Sequence, residues 1–201
     1  MRHARSVLAI TGALFVALAL AIVFLGAPPA DAALRNALLS LGSPPLLAAL
    51  RVVNRAGDWR VLLPGTLVLP VAFPRARRQW WLWAGLMVAA PMCEGLLKLL
   101  IRRPRPEALS FAFPSGHATA AAAFFGAAIY LAGSLPARAR AIVRTAAVLA
   151  IVLVGAARVM LRAHWPSDVL AGIALGLALA SLSAILAASI DERWSDGAEG
   201  A

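Results

Sequence analysis

Apolar residues run in long blocks along this chain, broken by short polar stretches. Several blocks approach the ~20 residues that a helix needs to cross a bilayer core. The short alternating segments of a membrane β-barrel are not seen. Six spans are predicted, at about 7–26, 58–74, 80–101, 115–134, 142–160 and 166–190. The first follows a basic head with Arg2 and Arg5. Its apolar core exceeds the ~7–15 residues of a signal peptide, so it reads as a retained anchor, although "ADA" at 30–32 resembles a cleavage site. The second is short and carries Pro64 and Pro70; the third contains Pro91, where a kink is expected. Between the first two spans, residues 27–60 repeat leucine and alanine at helical spacing with arginines interspersed. That pattern predicts one or two amphipathic helices at the membrane interface, split at Pro44-Pro45. Residues 102–114 form a loop, 136–144 a basic turn, and a polar tail follows residue 190. The fold class is therefore all-α: a polytopic membrane helical bundle of six transmembrane helices with an interfacial amphipathic segment, one domain over 1–201.

Composition supports this picture. Of 201 residues, 62% are hydrophobic and 14% charged, and the mean hydropathy is +0.82, which excludes an ordinary soluble domain. The net charge of +10 is carried almost wholly by arginine, Lys98 being the single lysine. These cations are scattered between spans instead of clustered on one soluble face, which argues against nucleic acid and for anionic lipid headgroups and a phosphorylated substrate. The lone Cys93 allows no intrachain disulfide. With six spans, the basic clusters at 75–78 and 138–144 share a side with both termini, and the positive-inside rule makes that side cytoplasmic. The opposite side is nearly as basic, and its charge concentrates near residues 96–123.

Polar residues at the edges of spans are the candidate chemistry. Pro166 suits a first helical turn, so a helix is predicted to start there, with His164 in the loop before it and Asp168 in its first turn. Asp168 could accept a hydrogen bond from one imidazole nitrogen and leave the other free as base or nucleophile; the plainer role is a carboxylate matching the helix dipole. In "PSGHA", Ser115 is a good N-cap, Gly116 lets a ligand approach the backbone, and the N–H groups at 116–118 would face an anion. His117 lies on that turn. A capped helix with a surface histidine is the plainer alternative. Lys98 could snorkel and Arg102, Arg103 and Arg105 could meet lipid phosphates, yet the prolines of "RRPRP" stiffen the loop and favour aimed side chains. Glu94, one turn before Lys98, is expected to pair with it or with an arginine. His3 is a surface residue. Two helix N-termini, two histidines, a carboxylate and fixed cations on one face describe a phosphate site.

Three motifs then stand in order: Lys98 with Arg105-Pro106 (K-x6-RP), Pro114-Ser115-Gly116-His117 (PSGH), and Arg158, His164 and Asp168 (R-x5-H-x3-D). With them the sequence resembles the type 2 phosphatidic acid phosphatase superfamily of integral membrane lipid phosphate phosphatases. The motifs cover 98–168. One departure is Ala157, where the family usually has serine; a weaker hydrogen-bond network to phosphate is expected there, with activity kept. The resemblance implies that His164 attacks phosphorus to give a phosphohistidine, oriented by Asp168. His117 would protonate the leaving group, and Lys98, Arg105, Ser115, Gly116 and Arg158 would hold the phosphate oxygens. It implies no cofactor and no metal, and no carboxylate cluster suited to magnesium is seen. The expected substrates are undecaprenyl diphosphate, phosphatidylglycerol phosphate or phosphatidic acid, met at the extracytoplasmic face of a cell membrane, with the termini cytoplasmic and 27–60 as a lid or lipid gate. The alternatives are a non-catalytic lipid-binding or transport protein on the same fold, and a vanadate-dependent haloperoxidase, which shares the motifs but resembles soluble proteins.

Overall fold

The computed structural model describes residues 2–26 and 28–199, with side chains as far as Glu192. Nine α-helices and no strand occur among the described residues. They are α1 (Arg2–Leu25), α2 (Pro29–Ser40), α3 (Pro44–Asn54), α4 (Trp59–Gly65), α5 (Val68–Ala72), α6 (Trp80–Ile101), α7 (Gly116–Leu131), α8 (Ala137–Met160) and α9 (Pro166–Glu199). Five of these, α1, α6, α7, α8 and α9, are long and apolar enough to cross a membrane.

The second crossing differs in form from the single helix predicted over 58–74. Pro64 and Pro70 each remove a backbone donor, and the stretch divides into α4 and α5 with a break at Thr66 and Leu67. The pair still runs the length of the bundle. Gly57, just before α4, abuts His117 at the start of α7, whereas Leu69 and Phe73 belong to the same buried cluster as Leu131 and Ala132 at the far end of α7. The chain thus passes six times between the two ends of the bundle.

Helices α2 and α3 meet at a bend of 116°, and Pro44 opens α3 as the predicted break required. Both stay at one end of the bundle. Asp31 of α2 reaches Ser167 at the start of α9, and Leu50 of α3 packs on Ala157 and Met160 at the end of α8. The pair caps that end and does not make a crossing. Elsewhere, 136–144 is not a turn: α8 starts at Ala137, because alanine and arginine are strong helix formers. The stretch after 190 continues helically to Glu199; residues 200 and 201 lie outside the described residues. Helix α6 runs unbroken through Pro91.

The core is built on small side chains. Ala118 and Ala120–Ala123 of α7 are buried, and α9 presses on them through Gly172 and Gly176. A Cβ on Gly176 would overlap the Thr119 carbonyl and sit 2.7 Å from Ala122 Cβ. Helices in lipid gain their attraction from such close backbone approach. α1 lies along α9, with Phe15 stacked on Phe113 at 5.9 Å and Ile22 beside Phe113 and Ala171. At the opposite end, Gln79 Nε2 donates to Ala187 O (3.0 Å) and Asp191 Oδ1 (2.6 Å). A cavity of about 150 Å³ lies there, lined by Ala4, Arg75, Gln79, Trp83 and Asp191. It is remote from the three motifs.

Candidate active site

All three motifs gather at the end covered by α2 and α3. Helix α6 stops at Arg102, which takes a left-handed conformation (φ 51°) and donates its N–H to Lys98 O. Its exposed side chain returns to Leu99 O at 3.0 Å. Arg102 is thus a helix cap and takes no part in the cluster. The following loop is pinned across itself: Arg105 N–H donates to Ser110 O (3.1 Å) and Ala112 N–H to Arg103 O (2.7 Å). This holds Arg105, whose Nε donates to Phe111 O at 3.2 Å. Lys98 pairs with Glu94 one turn earlier, as expected. The Glu94 carboxylate lies against Gly116, where a Cβ would come within 2.8 Å of Oε1.

Ser115 precedes α7, but its hydroxyl does not cap the helix as predicted. Its backbone is fully used instead. The N–H donates to Asp168 O (2.9 Å), and the carbonyl accepts from Thr119 N–H (2.9 Å) and Thr119 Oγ1 (3.0 Å). The hydroxyl is left buried with no partner. The N–H groups at 116–118 have no intrahelical acceptor by position. His117 is half-buried on this turn, within electrostatic reach of Arg158, Asp58, His164 and Lys98. Gly57 allows the preceding turn to rest on it, since a Cβ there would stand 2.9 Å from His117 O.

Helix α8 delivers Arg158 in its last turn. Its Nη1 donates to Asn54 Oδ1 of α3 (2.8 Å), and its buried Nε has no partner. The chain then turns through Arg162 (φ 61°), and His164 N–H donates to Arg158 O at 3.1 Å. The imidazole is 1% exposed. Helix α9 begins at Pro166, as predicted, and places Asp168 in its first turn. Asp168 Oδ2 accepts from Trp165 N–H at 2.9 Å and stands 3.5 Å from His164 Nδ1. That distance exceeds a hydrogen bond, and Nδ1 has no hydrogen-bond partner. Burial lowers the His164 pKa to about 4, Asp168 pulling it up and Arg158 and Arg105 pushing it further down.

Every residue singled out by motif spacing thus lies at one end of the bundle. Four further residues belong there without a motif signal: Arg103, Asp31, Asn54 and Asp58. Asp31 hid inside the cleavage-like "ADA", yet a carboxylate in so apolar a stretch signals a buried partner. Arg103 resembles its neighbours Arg102 and Arg105 in sequence, and only the backbone turn at 102 separates their fates. At the rim, exposed Glu107 pairs with Arg35 of α2 and with Arg162. The Arg35 hydrogen bond is the largest influence on its carboxyl, and the net result is a pKa below the ordinary value.

The architecture is that of an all-helical integral membrane protein whose polar cluster sits at one end of its spans. The chain belongs to the PAP2 superfamily: that family's model matches residues 79–190, over half of the chain and all three motifs. A crystal structure of a transmembrane PAP2 type phosphatidylglycerolphosphate phosphatase from Bacillus subtilis superposes with a TM-score of 0.78 at 29% identity, covering 92% of this chain and 96% of that one. Phosphatidylglycerophosphatase B of Bacillus subtilis (strain 168) is 32% identical over 82% of this chain and 87% of its own length. Lipid A 1-phosphatase of Rhizobium johnstonii is 33% identical over 61% of this chain. Decaprenylphosphoryl-5-phosphoribose phosphatase of Mycobacterium tuberculosis is 35% identical over 62%. The matched region spans about 55% of the Rhizobium protein and 68% of the Mycobacterium one.

Proposed function

We propose that this protein is an integral membrane lipid phosphatase that works through a phosphohistidine and needs no metal. One observation carries the reading. Two buried donors, Ser115 Oγ and Arg158 Nε, lack any partner in the one place where two histidines and three further cations converge. A buried polar group left unmade costs about 1–3 kcal/mol, and a tetrahedral phosphate would satisfy both. The relatives support the chemistry, since each is named a phosphatase.

Lys98, Arg105 and Arg158 hold the non-bridging oxygens with Ser115 Oγ and Gly116 N–H, supplying the charge stabilisation that phosphoryl transfer chiefly demands. His164 Nδ1 faces Asp168, so Nε2 is the attacking atom. Its lone pair forms the N–P bond while the P–O bond to the lipid breaks, and the leaving oxygen takes a proton from protonated His117. Water then attacks phosphorus and gives a proton back to His117. The N–P bond breaks and inorganic phosphate departs. A lipid carrier on this fold would need no such histidine pair.

Phosphatidylglycerol phosphate is the first substrate to test, because the Bacillus relative matches along most of both chains; undecaprenyl diphosphate and phosphatidic acid follow. The site faces the extracytoplasmic side, with the termini cytoplasmic. The test is phosphate release from these lipids in detergent with EDTA present, and competitive inhibition by vanadate. Release from none of them ends the enzyme reading; a requirement for added magnesium ends the metal-free mechanism.

A further inference from the structure

The loop at 102–114 holds an arginine that no motif assigns. Arg103 is 6% exposed. Its Nη1 donates to Asp168 Oδ1 (2.5 Å) and Ser167 Oγ (2.7 Å), and its Nη2 to Asp31 Oδ2 (2.6 Å). Asp31, 4% exposed, also accepts from Ser167 N–H (2.8 Å) and Ser167 Oγ (2.5 Å). Arg103, Ser167 and Asp31 close a ring between the first turn of α2 and the first turn of α9, and Asp168 is attached to it through Arg103. Arg103 and Arg35 also stand over the Trp165 ring, 5.7 and 5.5 Å from its centroid.

An ion pair built only for stability would match one guanidinium to one carboxylate, since each extra buried charge is costly. Here one guanidinium serves two carboxylates. We propose that Asp31 and Arg103 are positioning residues for His164: Asp31 engages Arg103, so that Asp168 keeps uncancelled negative charge at Oδ2, the oxygen that faces His164 Nδ1. The inference rests on His164 being the nucleophile. A phosphorylated imidazole carries positive charge, and Oδ2 is the group placed to balance it. The other charged or titratable groups facing His164 are Arg158 of α8, His117 of α7, and Arg105 from the loop. Arg103 and Asp31 lie behind Asp168. Without the Asp31 charge, Arg103 would fall wholly on Asp168, and His164 would face cations with no net counter-charge.

Asp31→Asn is nearly isosteric and removes only the charge. It should lower kcat by about 10- to 100-fold, as loss of a supporting partner behind a reactive group commonly does, while KM and vanadate inhibition stay within about threefold because the phosphate ligands are untouched. Asp31→Asn with Arg103→Gln releases Asp168 again, so the double variant should be more active than the single one. A merely structural pair would make it no better. A readout without turnover uses ¹⁵N-histidine NMR, for which the chain offers only three histidines. The His164 titration midpoint should be higher in the double variant than in Asp31→Asn. A kcat for Asp31→Asn within twofold of the parent overturns the proposal, as does a double variant with neither higher activity nor a higher midpoint. Should Asp31→Asn fail to fold, Arg103→Gln alone is compared with the parent: it removes the cation on Asp168 and should raise the His164 midpoint, and a midpoint no higher is the overturning result. If the parent releases phosphate from no lipid, the activity reading falls, and the midpoint comparison still judges the charge arrangement.

Discussion

His164 is enclosed by two guanidinium groups and one carboxylate, and their balance sets its charge. Burial leads, and the imidazole stays neutral down to about pH 4, against about 6.5 for a free histidine. In the proposed mechanism the neutral ring is the nucleophile, so the acid limb that His164 contributes to kcat/KM is expected well below 6.5. The sign for stability follows from linkage: on acidification the unfolded chain takes a proton that the folded chain refuses. The stabilisation is full above 6.5 and is lost as pH falls through about 4. The thermal midpoint should therefore drop over that window, and drop less in His164→Ala, which should also lose turnover by more than about 10³-fold and form no acid-labile phosphoenzyme. A wild-type limb at the ordinary 6.5, or a phosphoenzyme in His164→Ala, would remove His164 from this role. At this scale the motifs were legible because each is short and locally determined. Pro166 starts a helix, so His164 and Asp168 fall where their spacing puts them. Three arginines at 102, 103 and 105 were not separable, because a left-handed turn and a loop bridge decide which one is buried.

Among the helices, α7 and α9 set the geometry. Ser115 N–H bonds to Asp168 O, so the second and third motifs are joined through backbone. Gly172 and Gly176 bring the two axes close enough for that bond. A valine at 176 would overlap the Thr119 carbonyl, and overpacking of this kind costs about 1–3 kcal/mol. Gly176→Val should lower the thermal midpoint and lower activity with it, whereas Gly85→Val, with open space around its Cβ, should change neither. Equal behaviour of the two variants would deny the close approach its importance. Span positions were readable from hydrophobic runs, and the α2–α3 break from Pro44. The split of α4 from α5 was only hinted at by Pro64 and Pro70. The start of α8 was misjudged because arginine signals interface and helix alike.

For the molecule as a whole, charge gathers at both ends of the bundle. One end carries Arg75, Arg77, Arg78, Arg138, Arg140 and Arg144. At the other, Lys98, Arg103, Arg35 and Arg158 are bound to Glu94, Asp31 with Asp168, Glu107 and Asn54. The orientation proposed above puts the first end in the cytoplasm. In a chain with Cys93→Ala, Glu107→Cys should react with an impermeant maleimide on intact cells, and Arg138→Cys only after lysis; the reverse pattern would turn the site inward. The ring joining Asp31 to Ser167 spans 136 positions of sequence. At roughly 5–20 residues per second of synthesis, the first carboxylate waits about 7 to 27 seconds for its partners. The carboxylate of α2 therefore finds its buried partners only after α9 has begun to form, so the surroundings of His164 are assembled late in synthesis.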